Sequence, residues 1–383
     1  MFGCQPNQQI TRELKGSDVV SKDDNPGPES QREILDLCVE AFRGRLPEKW
    51  ELLRQEVTML SSDRRADEVL RLISPDRAEA LLVLEAKRIV EKRDLPQILA
   101  QLEGLTRYLP NSFPCVIARY LSPSVRAALQ EQRVSYIDAT GNMRLTLSAP
   151  AIFISDRGQD RDPWRGAGRP RGTLKGAPAG RVVRALIDYS KPWTMRELVS
   201  ISGSSTGATY RVIEYLQGEG LIARDSDGRV IVPNWRGLLA QWSKDYGFLR
   251  SSQVIRFIAP RGIGNLVERA AQPADLTYAF TGTVAAEQWS AYAPARSAMV
   301  YVDSIVGAAN AWGLRPADAG ANVLLAEPES DVVYARSLVT TSGLVVAAPS
   351  QVAVDLMTGP GRNPAEAEEL LDWMERNERD WRI

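Results

Sequence analysis

The chain has 383 residues and not one histidine. Imidazole is the usual general base near neutral pH and a frequent zinc ligand. Its absence therefore excludes Ser-His-Asp catalysis and every metal site that needs histidine. Cysteine is also scarce: Cys4, Cys38 and Cys115 are far apart and have no metal-ligand spacing. This sparing use of thiols suits a reducing compartment, so we expect a cytoplasmic protein.

Long apolar runs and a charge of one sign are lacking as well. No apolar run approaches the length that spans a bilayer, and the first residues are polar, unlike a signal peptide. We therefore predict no membrane partner. The formal net charge is −1, so any affinity for nucleic acid has to come from local basic patches.

The length allows two or three domains, each with its own core. The pattern of apolar periodicity and turn residues predicts an α/β and α+β multidomain protein. The predicted segments are a disordered leader over 1–30, an α/β domain over 31–157, a basic linker over 158–179, a winged helix-turn-helix over 180–235 and a second α/β domain over 236–383.

The stretch 180–233 has the pattern of a winged helix-turn-helix. A helix over Arg181–Asp188 is followed by a second helix that Thr194 caps, with Glu197 as the capping-box partner and with Leu198 and Ile201 inward. Ser204 or Ser205 would cap a third helix, whose buried stripe is Val212, Ile213 and Leu216. Two short apolar strands then enclose Asp225-Ser226-Asp227-Gly228, which predicts a hairpin wing.

The third helix is the predicted DNA-reading element. Its start is small, polar and free of acids, which suits phosphate contacts, while an arginine farther along can bind a guanine edge. Arginines beside the wing would reach the neighbouring backbone. The alternative is a winged helix that serves only protein contacts. The predicted contacts with duplex DNA are Ser204, Ser205, Thr206, Thr209, Arg211, Arg224 and Arg229.

A basic stretch without acids leads into this region, over residues 163–184. It is either a solvated hinge or an arm that follows phosphates beside the third helix. In the second case Arg169 and Arg171 would contact DNA. The cations of this stretch are Arg165, Arg169, Arg171, Lys175, Arg181 and Arg184.

A carboxylate and lysine pattern marks the first domain. Asp67 begins one predicted strand, and Glu85 and Lys87 lie two residues apart on the next, which places both on the same face. If the strands form a hairpin, Asp67 approaches Glu85. Two carboxylates can hold Mg²⁺, and a neighbouring lysine can orient or deprotonate an attacking water. The alternative is a solvated strand end with a surface ion pair.

This order of elements resembles the PD-(D/E)XK nuclease superfamily. The resemblance implies Asp67, Glu85 and Lys87 as catalytic residues if the site is active, with Asp67 and Glu85 as ligands of Mg²⁺. It adds Glu33 or Glu40 as a helix acid and Gln101 as a helix contact. Ala66 stands where the family usually has proline.

The later motifs resemble AbiEi-type antitoxins and related winged-helix regulators. They are YIDATGNMRL, the winged helix, TYAFTGTVAAEQW and APSQVAVDLMTGPG. The resemblance implies autorepression through the winged helix and a C-terminal domain of nucleotidyltransferase-like shape that binds a toxin. A working transferase would follow its turn with paired acids, whereas here only Asp303 follows Thr281-Gly282-Thr283. We therefore interpret that turn as a strand-to-helix connection with a threonine cap and the domain as a binding surface, with Trp289, Tyr292 and Trp312 as its candidate aromatics.

These observations predict a DNA-binding transcriptional regulator, with antitoxin-type autorepression. A metal-dependent DNA nuclease that its winged helix directs is the alternative, and an adaptor for protein partners is a third. The expected partners are double-stranded DNA and a toxin protein, and a homodimer is left open. The sequence does not decide whether the chain is an enzyme.

Overall fold

The computed structural model describes residues 27–55, 66–107, 109–164, 173–273 and 275–383. Over these ranges the protein is a mixed α/β chain that divides into two compact units. The described residues of 1–90 and 95–169 form the first unit, and those of 91–94 and 170–383 form the second. Residues 1–26 of the predicted leader, and Arg165, Arg169 and Arg171 of the predicted basic arm, lie outside the described residues.

The first unit contains a sheet of seven strands among its described residues, and the strands follow one another in chain order. The third strand is parallel to the fourth and the fourth to the fifth, while all other neighbours are antiparallel. The elements are α1 (Gln31–Arg43), β1 (Glu51–Gln55), β2 (Glu68–Ile73), β3 (Glu79–Lys87), α2 (Leu95–Thr106), β4 (Ser112–Ala118), α3 (Pro123–Glu131), β5 (Ser135–Asp138), β6 (Met143–Ser148) and β7 (Ala151–Asp156).

Helices cover both faces of this sheet. Successive side chains of a strand point to opposite faces, so Leu82 and Leu84 of β3 pack in the same cluster as Phe42 of α1, while Val83 packs with Leu102 of α2. The predicted hairpin of the second and third strands is confirmed, since β2 and β3 pair antiparallel. Burial on both faces explains why these strands are near-continuous apolar runs.

Helix starts in this region follow the capping rules with one exception. Ser30, which the sequence analysis places in the leader, caps α1 in a complete capping box with Glu33. Ser122 caps α3. Asp94 does not cap the following α2, because its carboxylate accepts from the N–H of Glu91, upstream of a short 3-10 helix.

The second unit begins with three helices and a hairpin and continues into a larger mixed sheet. Its elements are α4 (Ala177–Asp188), α5 (Met195–Ser202), α6 (Thr206–Gly218), β8 (Ala223–Arg224), β9 (Val230–Ile231), α7 (Trp235–Ser243), β10 (Ser252–Ile258), α8 (Gly262–Ala270), β11 (Tyr278–Thr281), α9 (Gly282–Ala286), β12 (Ala298–Val302), α10 (Ile305–Trp312), β13 (Arg315–Pro316), β14 (Val323–Pro328), β15 (Leu338–Val339), β16 (Val345–Val346), α11 (Pro349–Met357), α12 (Asn363–Arg376) and α13 (Glu378–Trp381), with 3-10 helices over Lys92–Asp94 and Asp331–Tyr334.

The larger sheet has the strand order β13-β10-β14-β12-β11-β16-β15. One apolar core runs through the whole unit, from Leu186 of α4 and Leu216 of α6 to Val300 of β12 and Leu371 of α12. The predicted winged-helix segment and the predicted C-terminal segment therefore share a single core. Helices α10 and α11 were not predicted. α11 is buried on all sides over residues 349–356, so it has no exposed face to give the usual amphipathic period.

The helices α4 to α6 follow the predicted apolar pattern at most positions. Thr194 caps α5 in a capping box with Glu197, as predicted. Leu198 is fully buried, but Ile201 is 49% exposed, so its predicted inward position is wrong. The buried stripe of this short helix is narrow and consists of Leu198 and Ser202, one turn apart.

Candidate functional site

The predicted carboxylate and lysine cluster is assembled at one end of the first sheet. Glu68 pairs with Leu84 in the antiparallel hairpin, so continuing the register sets Asp67 opposite Glu85. Glu85 is 1% exposed and lies on the α2 face, since it alternates with Leu84 and shares the side of Val83. The main chain thus brings both carboxylates to the same place.

Hydrogen bonds hold each member of this cluster. Asp67 Oδ2 accepts from the Ala86 N–H at 2.8 Å. Glu85 Oε1 accepts from Lys87 Nζ at 2.5 Å, and Glu85 Oε2 accepts from Gln101 Nε2 at 2.7 Å. Gln101 therefore contacts the cluster from α2, where the sequence analysis placed a helix contact.

The electrostatics of Glu85 reflect its position between water and core. Burial raises the pKa of the Glu85 carboxyl, the hydrogen bond from Lys87 opposes that rise, and the nearby charge of Asp67 adds to it. A buried acid beside a second carboxylate and a lysine is the kind of arrangement in which a cation or a proton can neutralise the excess negative charge.

The helix acids expected at this cluster make contacts elsewhere. Glu33 accepts from the N–H groups of Ser30 and Glu29 and so caps α1, and Glu40 pairs with Arg43 on the exposed side. Both predictions are therefore wrong. Gln31, at the start of α1, takes the place: its Nε2 donates to Asp67 Oδ2 at 2.9 Å and to the carbonyl oxygen of Ala86. No motif in the sequence marked it.

The oxygen atoms of the cluster are of the kind that binds a hard cation. Within the described ranges there is no group of three or more acidic or cysteine side chains that could hold a metal. Two carboxylates and the Ala86 carbonyl supply oxygen ligands of the type Mg²⁺ prefers, and water would complete its octahedron. The oxygen atoms fit such an ion, although Asp67 and Ala86 here accept from Gln31 and Glu85 accepts from Lys87.

The start of α6 is the second candidate surface. Ser205 is its N-cap and accepts from the Ala208 N–H at 3.3 Å, and Ser205 and Thr206 are exposed. Thr206 and Tyr210 lie one turn apart on the outward face, as do Gly207 and Arg211.

Two of the predicted DNA contacts on this helix are buried. Thr209 is fully buried, and its hydroxyl donates to the Ser205 carbonyl at 3.1 Å. Ser204 is 6% exposed, and its hydroxyl donates to the Pro178 carbonyl at 3.2 Å. Their predicted exposure is wrong. Thr209 lies at helical spacing with the buried Val212, and the core side of α6 therefore includes it.

The hairpin of β8 and β9 carries the other predicted contacts. Asp225 Oδ1 accepts from the N–H groups of Asp227 and Arg229 and shapes the turn, and Gly228 has φ +76°, which favours glycine. Arg224 Nη1 donates to the Gly228 carbonyl at 2.8 Å. Arg224 and Arg229 are both exposed, as predicted.

Four exposed arginines in this part of the unit have no acidic partner among the described residues: Arg196 on α5, Arg211 on α6, and Arg224 and Arg229 on the hairpin. Two cations of the predicted basic stretch form ion pairs with acids of the same unit. Arg181 pairs with Asp331 at 2.6 Å, and Arg184 is buried against Asp188. Neither arginine therefore belongs to a solvated hinge or to an arm that follows phosphates, because both lie within α4, whose inner side joins the core.

The Thr281-Gly282-Thr283 turn connects β11 to α9, as expected of a strand-to-helix connection. The predicted threonine cap is wrong. The Thr281 hydroxyl donates to Asp355 at 2.7 Å and the Thr283 hydroxyl to Glu366 at 2.6 Å. These two buried acids lie far downstream in the sequence, so the spacing around the turn could not indicate them.

The candidate surface aromatics divide by burial. Trp312 is 4% exposed and packs edge-on against Tyr278, so its proposed surface role is wrong. Trp289 is half-buried beside Trp373, and Tyr292 is 50% exposed. Asp303 is exposed and accepts from the Thr277 N–H.

No helix in the described part of the chain is long and apolar enough to cross a membrane. Comparison with known proteins found no family model, no curated protein and no solved structure that matches this chain.

Proposed function

We propose that this chain binds duplex DNA and acts as a transcriptional regulator. The observation that carries the proposal is the exposed polar start of α6, with Thr206 and Arg211 outward and the core residues on the opposite side. Free N–H groups and hydroxyls at a helix start suit phosphates, and an arginine on the same face can donate two hydrogen bonds to guanine.

The order of elements supports a winged-helix interpretation. Three helices precede a hairpin, and Trp193, between the first two helices, exchanges hydrogen bonds of 2.8 and 2.7 Å with Val230 of that hairpin. A short strand at this point, added to the two strands of the wing, is the arrangement expected of a winged helix. In such folds the third helix enters the major groove and the wing meets the neighbouring backbone.

The unpaired arginines favour DNA over a protein partner. Arg196, Arg211 and Arg229 stay exposed without an acid among the described residues, and phosphate would neutralise them. Arg236 of α7 shows the contrast, because Glu368, Asp372 and Glu375 all lie within 3.1 Å of its guanidinium. Glu214 is also exposed on α6 and lies one turn beyond Tyr210, on the same outward face but farther from the start of the helix.

The test is fluorescence anisotropy of the full chain with a duplex from upstream of its own gene and a scrambled duplex of the same composition. Binding should weaken steeply with salt. Arg211→Met should reduce the preference between the two duplexes, while Arg169→Met with Arg171→Met should weaken both alike. Arg379→Met, an exposed arginine of α13, is the matched control and should leave both affinities unchanged. Equal weakening by Arg211→Met and by the linker variants would remove the base-reading role of Arg211.

A second proposal is metal-dependent cleavage of DNA, which the assembly of Asp67, Glu85 and Lys87 favours. Asp67 and Glu85 would hold Mg²⁺, which lowers the pKa of a bound water and so supplies a nucleophile. Lys87 Nζ, 2.5 Å from Glu85, is placed to orient that water. The arrangement β1-β2-β3-β4, antiparallel and then parallel, supports the resemblance to PD-(D/E)XK nucleases.

Cleavage is tested on a labelled duplex with Mg²⁺ or Mn²⁺. Glu85→Gln and Lys87→Met should abolish the reaction. Glu103→Gln is the matched control because Glu103 is exposed on the same α2 and, among the described residues, forms its ion pair with Arg107. Cleavage that survives Glu85→Gln would assign it to a contaminant and end this proposal.

A third element of the proposal is autorepression as part of an antitoxin pair, with the C-terminal residues as the surface for a toxin. It rests on the resemblance of the later motifs to AbiEi-type antitoxins. Of the three candidate aromatics, Tyr292 is the exposed one and Trp289 is half-buried. Tyr292→Ala should weaken binding of the adjacent gene product, if that product is a toxin, without changing binding to the upstream duplex.

A further inference from the structure

The side chain of Gln31, at the start of α1, contacts the carboxylate and lysine cluster, and the side chain of Glu29, just before α1, contacts neighbouring arginines. We call residues 29–31 the strap. Gln31 Nε2 is 2.9 Å from Asp67 Oδ2 and also donates to the Ala86 carbonyl. A single nitrogen that donates to a carboxylate oxygen and a carbonyl oxygen occupies the space between them, where a cation bound to the same two oxygens would lie.

The other strap side chain binds the neighbouring cations. The Glu29 carboxylate lies 2.7 Å from Arg88 and 3.8 Å from Arg119. Arg88 follows Lys87 directly, and Arg119 follows Ala118, which pairs with Lys87 in the β3–β4 register. Two cations at adjacent strand ends therefore share one anion, and that anion is a carboxylate of the same chain.

The two contacts place the same signs of charge here as a bound divalent cation and a DNA phosphate would. A partly positive amide group sits on the oxygens suited to a divalent cation, and a carboxylate sits on arginines suited to a phosphate, because guanidinium binds both anions through the same donor fork. Asp162 also contacts Arg119, at 3.3 Å, so the charge left for an outside anion belongs mainly to Arg88.

We propose that the strap is an internal mimic that blocks this cluster, with Gln31 in the cation position and Glu29 in the position of a DNA phosphate. The inference rests on the second proposal, metal-dependent cleavage. Displacement of the strap admits a divalent cation together with a phosphodiester.

The strap is held weakly enough to be displaced. The side chains of Glu29 and Arg88 are 60% and 53% exposed, and exposed ion pairs add little to stability. Gln31 is itself exposed and neutral, so its hydrogen bonds compete with water. Rotation of the two side chains clears the cluster without unfolding α1, which the Ser30 and Glu33 capping box holds independently.

The first experiment measures Mn²⁺ binding to the full chain by calorimetry, so that no cleavage is needed. Gln31→Ala should bind Mn²⁺ about three- to tenfold tighter than the unchanged chain, the size expected for removing one competing hydrogen-bonded group. Gln31→Ala with Asp67→Asn should lose this gain. Glu40→Gln, on the same helix and remote from the cluster, should bind as the unchanged chain does. Thermal unfolding confirms that each variant is folded.

The outcomes separate the strap from the metal site. Equal Mn²⁺ affinity in the unchanged chain and in Gln31→Ala, lost with Asp67→Asn, overturns the strap and leaves the site. No binding in either protein overturns the strap and the cleavage proposal together.

The second experiment measures the affinity for duplex DNA at several salt concentrations in buffer that contains Ca²⁺. Every protein in it carries Arg211→Met, which removes the proposed base contact of α6. Glu29→Gln should make the slope of log affinity against log salt steeper by about one, as expected for one newly available phosphate contact. Glu40→Gln releases Arg43 elsewhere and serves as the control. The same change in slope with Glu40→Gln would show a general charge effect and overturn the role of Glu29.

Discussion

Arg184 and Asp188 form an ion pair inside the second unit, with 2.8 Å between Nη2 and Oδ2 and side chains 2% and 4% exposed. The guanidinium also donates to the carbonyls of Val332 and Ala335 and to Gln351 Oε1. The first helix of the proposed winged helix is thus bonded to the sheet-bearing part of the same unit. Movement of α4 away from α11 would leave several buried polar groups without partners.

This ion pair predicts a large loss of stability when one partner is removed. Asp188→Ala leaves the Arg184 charge buried without its carboxylate, and we expect the free energy of unfolding to fall by about 3–5 kcal/mol. Denaturant unfolding followed by tryptophan fluorescence measures it. Arg236→Ala breaks an exposed network on α7 and is the control, with a loss of at most about 1 kcal/mol. Equal losses of unfolding free energy in the two variants would show that the buried pair stabilises the fold no more than the exposed network does.

Asp355 predicts a dependence of stability on pH. Burial raises the pKa of this carboxyl to about 7 from its ordinary 3.8, against hydrogen bonds from Thr281, Tyr301 and Gln351. Between these values the folded chain holds a proton that the unfolded chain has released, so stability falls as pH rises from about 4 to about 7. The contribution is at most about 1.4 kcal/mol per pH unit.

Asp355→Asn removes the titration and nearly keeps the shape. Unfolding free energies at several pH values should decline less between pH 4 and 7 in this variant than in the unchanged chain. Parallel curves for the two proteins would show that Asp355 does not hold the extra proton.

Ser205 predicts a separation of stability from DNA binding. Its hydroxyl caps α6, so Ser205→Ala should cost about 1 kcal/mol. Aspartate caps a helix as well as serine and favours the helix dipole, so Ser205→Asp should keep the stability. Its negative charge at the proposed phosphate contact should nevertheless weaken duplex binding about tenfold at low salt. Unchanged DNA affinity in Ser205→Asp would place the duplex elsewhere.

We expect Asp138 to contribute strongly to the stability of the first unit. This fully buried carboxylate accepts from the N–H groups of Leu121, Thr140 and Asn142 at 3.0, 2.9 and 3.1 Å. Asp138→Ala leaves these donors unsatisfied and should cost about 3 kcal/mol in denaturant unfolding of the full chain. The control is Asp156→Ala, which breaks an exposed ion pair with Arg45 and should cost at most about 1 kcal/mol. Similar costs would mean that water replaces Asp138.

Local patterns in the sequence decide the elements whose cause is local. The capping box of Thr194 and Glu197 and the hairpin turn at Asp225 depend on contacts within a few residues, so the sequence predicts them correctly. The same holds for the shared face of Glu85 and Lys87, which the period of a strand determines. The burial of Thr209 could also have been predicted from the sequence, since Thr209 lies three and four residues before Val212 and Ile213 of the buried stripe.

Tertiary structure alone decides which distant side chains meet. Gln31 reaches Asp67 because α1 begins beside the end of the sheet where β2 begins and β3 ends, and no spacing in the sequence relates these positions. Arg184 belongs by composition to a basic stretch, yet the packing of α4 against α11 makes it a core residue. Short-range rules act through chain connectivity and hydrogen-bond reach, whereas burial depends on the surfaces that meet when the whole chain folds.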